Sequence, residues 1–147
     1  MTENESGSGS LLARIRAERE AHMADRHLDL PVPTWGGRLI ARYRVIDKKE
    51  WKRLSRADVD DRDLIAAACI GLFVNDGGDM QPIEDNGAPV VFDSVFAEMN
   101  DQRLSDSRSV VSWAFGGEDL AVGAVARKLI DWMADTSAEV DGALGEA

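Results

Sequence analysis

Residues 89–133 most constrain what this chain can fold into, because they join aromatic anchors to a helical spacing of apolar residues. The segment contains three of the four Phe and two of the four Trp. From residue 117 onward, apolar side chains recur at i, i+3, i+4 and i+7, which predicts a helix with one continuous apolar face. That face carries Val122, Val125, Ala126, Leu129, Trp132 and Met133. Since no nucleophile or metal-ligand cluster interrupts it, the segment is expected to serve packing.

Similar patterns elsewhere predict a mainly α fold, a compact bundle of about six helices with a small β element. Residues 11–26 are mostly good helix formers. A short helix is predicted between the N-cap Asp47, stapled by Ile46 and Trp51, and Ser55. Residues 64–74 are apolar on all sides and predict the central buried helix. Two further helices are expected at residues 94–100, capped by Asp93, and from Ser105 or Ser107 to Gly116. The β element comprises a strand near residues 38–46 and a hairpin near residues 80–92 that turns at Asn86-Gly87.

The chain divides into a disordered tail at residues 1–10, a single helical domain at residues 11–134 and a mobile acidic tail at residues 135–147. A length of 147 residues suits one domain. Its first ten residues carry no apolar segment of the secretory type, so we expect a soluble protein without a leader. Cys69, the one cysteine, lies in an apolar run and is predicted to be buried and inert.

Charge is distributed unevenly along the chain, which carries −10 in total. Residues 38–56 hold eight Lys/Arg and two acids, for a net +6, whereas residues 57–147 hold five Lys/Arg and nineteen acids, for a net −14. The acidic total argues against general nucleic-acid binding. Opposite charges favour self-association or a charged partner, although a solvated surface of uneven charge gives the same pattern.

The strand at residues 38–46 alternates between an apolar face and a basic face. Arg38, Arg42 and Arg44 lie on the basic face. We hypothesise that they form a charged surface for self-association or for a partner. The same arginines suit the binding of phosphate or carboxylate groups, or an exposed edge strand protected by charge, and the edge strand is the favoured interpretation.

Patterns typical of enzymes and metal sites are not found in the sequence. His22 and His27 do not share a helix face, and no cysteine spacing for zinc accompanies them. Asp58, Asp60, Asp61 and Asp63 lack the glycine and glutamate of a calcium loop, and they predict a helix N-terminus instead. We therefore expect neither catalysis nor any cofactor or metal.

An ordered series of short motifs extends over about residues 28–133. The motifs are Pro33-x-Trp35-Gly36-Gly37-Arg38-Leu39-x-x-Arg42-Tyr43, Gly71-Leu72-Phe73 before an acidic Gly-rich hairpin, Val91-Phe92-Asp93, Val110-Val111-x-x-Ala114-Phe115, Asp119-Leu120-Ala121-Val122 and Leu129-Ile130-x-Trp132-Met133. No single motif is specific, and the order of the series carries the similarity. The series resembles the tail assembly chaperones of long-tailed phages and prophages of actinobacteria.

The resemblance implies a non-enzymatic protein that keeps the tape measure protein soluble while tail tube subunits polymerise around it. It further implies action in the host bacterial cytoplasm, absence from the mature virion, and contact with the tail tube protein and with a longer frameshifted form of the chain. Self-association is expected, and neither nucleic acid nor membrane is an expected partner. Two other classes stay open, namely a virion head–tail connector or tail completion protein, and a small DNA-binding regulator.

An apolar groove on the C-terminal helices is our hypothesis for the site that binds the partner. A protein that coats an apolar helical partner needs exposed apolar surface. The alternative is that the same side chains simply fill the core. The residues that we predict to line this groove are Trp113, Phe115, Leu129, Trp132 and Met133.

Overall fold

The structure, a computed structural model, describes residues 8–56 and 58–145. Six helices occur there, namely α1 (Ser8–Ala24), α2 (Lys48–Leu54), α3 (Asp61–Ala68), α4 (Ser94–Met99), α5 (Ser107–Ala114) and α6 (Asp119–Gly145). The strands are β1 (His27–Pro31), β2 (Leu39–Arg44), β3 (Cys69–Asp76), β4 (Asp79–Pro82), β5 (Glu84–Asp85) and β6 (Ala88–Pro89). With 49% helix and 21% strand, the fold is mixed α and β, so the predicted mainly α bundle is wrong.

A four-stranded antiparallel sheet in the order β1-β2-β3-β4 forms one side of the fold. Its central strand β2 buries Leu39, Ala41 and Tyr43, as the alternating pattern predicts. Because β2 pairs with β1 on one side and β3 on the other, its interpretation as an edge strand is wrong. Alternation reveals the two faces of a strand but not its neighbours.

The predicted buried helix at residues 64–74 is also wrong in its second half. Helix α3 ends at Ala68, and β3 starts at the next residue, Cys69, whose backbone is already extended at ψ 124°. An apolar run without periodicity fits a buried helix and a buried strand equally well. The strand forms here because it pairs with β2 along its length while the side chain of Leu72 is fully buried.

The first strand was not predicted, because its segment is rich in proline. The sequence predicts an extended connector at residues 28–35, and the structure pairs His27–Pro31 with β2 as the edge strand β1. Pro31 occupies the last position of that edge strand, where its missing N–H does least harm to the ladder. The extended backbone is confirmed as far as Pro31, whereas residues 33–35 form a turn in which Thr34 has φ 75°. The pairing with β2 was not predicted.

Turns were predicted more accurately than the strands that they connect. Asn86 and Gly87 have φ values of 53° and 81° and join β5 to β6, as predicted from their hairpin signal. The segment before that turn, however, pairs as β4 with β3 across Gly77-Gly78. A turn motif fixes the local reversal of the chain, and side-chain burial decides which strands then pair.

One hydrophobic core joins the sheet to the helices. Helix α3 contacts α5, α6 and β2, whereas α1 packs against α6. The fully buried centre contains Ala41, Ile65, Leu72, Val110 and Leu129. On α6, the predicted apolar face is confirmed, since Val122, Val125, Ala126, Leu129 and Met133 are all buried.

The ends of the predicted domain do not coincide with the ends of helices. Helix α1 begins at Ser8, and α6 continues through residues 135–145. The predicted tail at residues 1–10 lies largely outside the described residues, as do residues 146–147. The division into tails and a domain at residues 11–134 therefore stays a prediction.

Helix ends follow local capping signals with few exceptions. Asp47 caps α2 and Ser55 ends it, while Asp93 caps α4, all as predicted. Asp60 and Asp63 form a capping box on α3, which confirms the acidic helix N-terminus. The cap of α5 was predicted one residue off on either side, because Asp106 occupies that position.

Helix α5 ends in a Schellman motif at Gly116-Gly117. The Gly117 amide donates to the Ser112 carbonyl at 2.8 Å, and the Gly116 amide donates to the Trp113 carbonyl at 3.0 Å. Gly116 has φ +72°, and a Cβ built on it would lie 2.8 Å from Cγ2 of Thr34. The position therefore requires glycine twice over, for its backbone conformation and for its close approach to the loop after β1.

Replacing Gly116 with Ala is expected to lower the free energy of unfolding by about 2–4 kcal/mol, from left-handed backbone strain and overpacking. Gly117→Ala is the matched control, since Gly117 also has φ +72° but no atom lies within 4 Å of an added Cβ. It should cost only about 1–2 kcal/mol. Urea unfolding of both variants measures the difference. Equal losses of unfolding free energy would show that the Thr34 side chain moves aside without cost.

Candidate partner-binding groove

The structure does not bring the five predicted partner-binding residues together on an exposed surface. Phe115 and Leu129 have 0% exposure, and Met133 has 7%. Trp113 and Trp132 are half-buried and pack against the same core. A partner therefore has no access to Phe115 or Leu129 while the fold is intact.

Trp113 and Phe115 belong to an aromatic cluster that ties the loop after β1 to α4 and α5. Trp35 contacts Trp113 edge-on at 5.9 Å between ring centroids, and it lies 6.0 Å from Phe96. Phe92 lies edge-on to Phe115 at 5.9 Å. Such pairs stabilise a core beyond the area they bury. The indole N–H of Trp35 also donates to the Ala114 carbonyl at 2.7 Å, which fixes the cluster in place.

Two of the three predicted surface arginines have partners within the molecule. Arg42 forms a bidentate pair with Asp29, at 2.8 and 3.0 Å, and lies 4.5 Å above the ring of Phe73. Arg44 contacts both carboxylate oxygens of Glu50, at 2.9 and 3.0 Å, so it joins β2 to α2. Arg38 is exposed, and its side chain has no hydrogen bond or ion pair to any described residue.

An apolar groove lies instead between α2 and the second half of α6. It encloses a cavity of 240 Å³, whose polar residues are Lys48 and Ser137. Trp51 and Ile130 are each 38% exposed in it. The apolar lining consists of Val45, Ile46, Trp51, Ile130, Met133 and Ala134. We call this feature the α2–α6 groove.

Local sequence explains each wall of the α2–α6 groove. The Asp47 side chain accepts from the Glu50 amide at 2.8 Å and so starts α2 directly after Ile46. Ile46 and Trp51 then face the same cavity, as expected of the hydrophobic staple. Because α2 buries no residue completely, the Trp51 ring stays open to solvent. The opposite wall uses the i, i+3, i+4 and i+7 face of α6 from Ile130 to Ser137.

Positive charge surrounds the α2 side of the groove. Lys48, Lys49, Lys52 and Arg53 are exposed on α2. Arg53 approaches Glu50 at 3.7 Å, whereas the three lysines form no ion pair within the described part of the chain. Glu50 itself is already bound by Arg44. The lysines are therefore available for carboxylates from outside the molecule.

A second apolar cavity, of 340 Å³, lies between the segment that follows β1 and the first half of α6. Small or cyclic side chains dominate its lining, including Pro31, Pro33 and Ala124. No aromatic residue lines it. Since aromatic anchors carry most of the energy at typical interfaces, the α2–α6 groove with Trp51 is the stronger candidate.

Two titratable side chains, Tyr43 and Cys69, are buried in the hydrophobic core. Burial raises the pKa of the Cys69 thiol to about 12 and raises the pKa of Tyr43 well above its usual value. Both groups are therefore neutral at physiological pH, and Cys69 is buried, as the sequence predicts.

A hydrogen bond from Arg62 lowers the pKa of Asp60. Arg62 also donates to Ser112 at 2.7 Å, and this links α3 to α5.

Neither a metal-binding cluster nor a membrane-spanning helix occurs in the part of the chain that the structure describes. Within residues 8–56 and 58–145, no three His, Cys, Asp or Glu side chains are placed to hold a metal ion. No helix in the same residues has the length and hydropathy needed to cross a membrane. Comparisons with protein-family models, curated proteins and solved structures find no match.

The sequence does not predict the α2–α6 groove, although it contains part of the pattern that forms it. Ile46 and Trp51 were identified as a staple, which already placed them on one side of α2. Ile130 belongs to a predicted helix but not to its predicted buried face. Nothing in the sequence places α2 beside the second half of α6, so the groove became visible only with the tertiary structure.

Proposed function

We propose that this protein is a non-enzymatic tail assembly chaperone that binds the tape measure protein and keeps it soluble during tail tube assembly. The motif series over residues 28–133 supports the class. The α2–α6 groove carries the proposal, because Trp51 and Ile130 expose apolar surface at the rim of a preformed cavity. An apolar helical partner requires a surface of this kind.

We propose the α2–α6 groove as the partner-binding site, in place of the five residues of the sequence hypothesis. Met133 is shared between the two sets, since it is buried and also lines the groove. A second apolar contact is available on α1, where Leu11, Leu12 and Ile15 are 56%, 52% and 43% exposed. These three side chains are one, three and four positions apart and form a patch on one side of the helix.

Weak individual contacts suffice if many copies bind one long partner. A single 240 Å³ groove accommodates only a few side chains. When several copies occupy neighbouring segments of the same chain, each additional contact is intramolecular and total affinity rises without new contacts. We therefore include self-association of the chaperone in the proposal. Its action in the host bacterial cytoplasm and its absence from the mature virion are part of the same proposal.

Co-expression with the longest coiled-coil-like open reading frame encoded nearby tests the function. Size-exclusion chromatography with light scattering is the measurement. The proposal predicts that the long partner stays soluble and elutes with several copies of this chain. If the partner aggregates regardless and this chain elutes alone, the chaperone function is wrong. Mass spectrometry of purified particles then tests the alternative, a head–tail connector or tail completion protein.

A further inference from the structure

The shape of the α2–α6 groove fits a helix laid along α6. Its α6 wall extends over eight residues from Ile130 to Ser137, a rise of about 10 Å along the helix. A partner helix that lies along this wall presents its own side chains at i, i+3, i+4 and i+7 over the same length. Trp51 and Ile130 then cover the apolar face of the partner from two sides.

The charge of the groove is set by α2. Lys48 lines the cavity. Lys52 lies one turn further along α2 and lines the neighbouring pocket, so it borders the groove rather than facing into it. Neither ammonium group has an ion-pair partner among the described residues. A partner that places only apolar or basic groups here leaves these charges uncompensated, whereas carboxylates pair with them beside an apolar floor.

The acidic net charge of the protein does not reverse this preference. At physiological ionic strength the Debye length is about 8 Å, so distant carboxylates are screened and the nearest charges decide. Asp47, next to Lys48 in the chain, accepts from the Glu50 amide at 2.8 Å and lines the neighbouring pocket instead of the groove. On α6, the exposed acids Asp131 and Asp135 each lie one position after a groove residue. That offset turns them about 100° around the helix, away from the groove.

We propose that the segment bound in the α2–α6 groove is an amphipathic helix whose apolar face is flanked by carboxylates on the side toward Lys48 and Lys52. The inference rests on the proposed function and specifies the chemistry of its partner. Charge at the groove thereby selects among apolar helices that would otherwise fit equally well. Selection by charge also speeds encounter and suppresses binding of basic helices.

Three dye-labelled synthetic helical peptides test the inference by fluorescence anisotropy. They share one Leu face and differ only in the flanking residues, which are Glu, Gln or Lys. The wild-type protein should bind the Glu peptide at least tenfold more tightly than the Lys peptide at low salt, and the ratio should shrink as salt rises. Equal affinity for all three peptides would overturn the inference.

Charge-reversed variants locate the preference. The double variant Lys48→Glu/Lys52→Glu should prefer the Lys peptide. Its matched control is Arg103→Glu/Lys128→Glu, which changes the net charge equally at exposed positions outside the groove and should behave as wild type. A preference for Glu that survives in the first variant contradicts the inference. If no peptide binds although co-expression solubilises the long partner, the groove inference fails while the chaperone function stands.

Discussion

Replacement of Trp51 with Ala is expected to weaken binding of the partner by about 30-fold or more, with the fold intact. A central Trp at an interface typically contributes 2 kcal/mol or more when truncated, which is about 30-fold in affinity. Stability should change little, because Trp51 is 38% exposed and α2 has no fully buried residue. Ala is also the best helix former, so α2 keeps its propensity.

The expected effect of Trp51→Ala is tested by two measurements and one control variant. Circular dichroism with urea unfolding reports the fold, and co-purification of the long partner reports binding. Leu120→Ala is the control, since Leu120 is 91% exposed and does not line the groove. Binding of wild-type strength by a folded Trp51→Ala variant would remove the α2–α6 groove as the site. The Leu120 variant should match wild type in both measurements.

Local chemistry explains which parts of the fold were predictable. Caps such as Asp47 and Asp93, and the Gly116-Gly117 end of α5, depend on residues within one turn of each other. The strand at residues 69–76 depends on a partner strand about thirty residues earlier in the chain. Its apolar run carries no period that separates helix from strand. Local signals therefore favoured a helical bundle. The pairing of distant strands, which those signals do not report, gives the mixed fold instead.

The candidate site was less predictable than the fold for a related reason. Helical periodicity correctly identified the apolar face of α6, but it does not say whether that face is covered. Leu129 turned out to be covered completely by the core, whereas Ile130, one position away, borders an open groove. The arginines of β2 show the same limit, because Arg42 meets Asp29 only after β1 pairs with β2.

Replacement of Phe115 with Ala is expected to lower the free energy of unfolding by about 3–5 kcal/mol. The side chain has 0% exposure and lies edge-on to Phe92 at 5.9 Å, so its removal leaves a cavity in the aromatic cluster. A loss of this size is a large part of the stability of a typical domain. Urea unfolding monitored by circular dichroism measures it, and partner binding should fall only in proportion to the unfolded fraction.

This outcome separates the two roles that the sequence left open for Phe115. A core residue loses stability on truncation, whereas a contact residue loses affinity at constant stability. Phe115→Leu provides the graded comparison, since it keeps an apolar side chain and should cost less than Phe115→Ala. If Phe115→Ala instead unfolds at the wild-type urea concentration but no longer retains the partner, Phe115 contacts that partner directly. The groove on the C-terminal helices would then have to open in the bound state to expose Phe115.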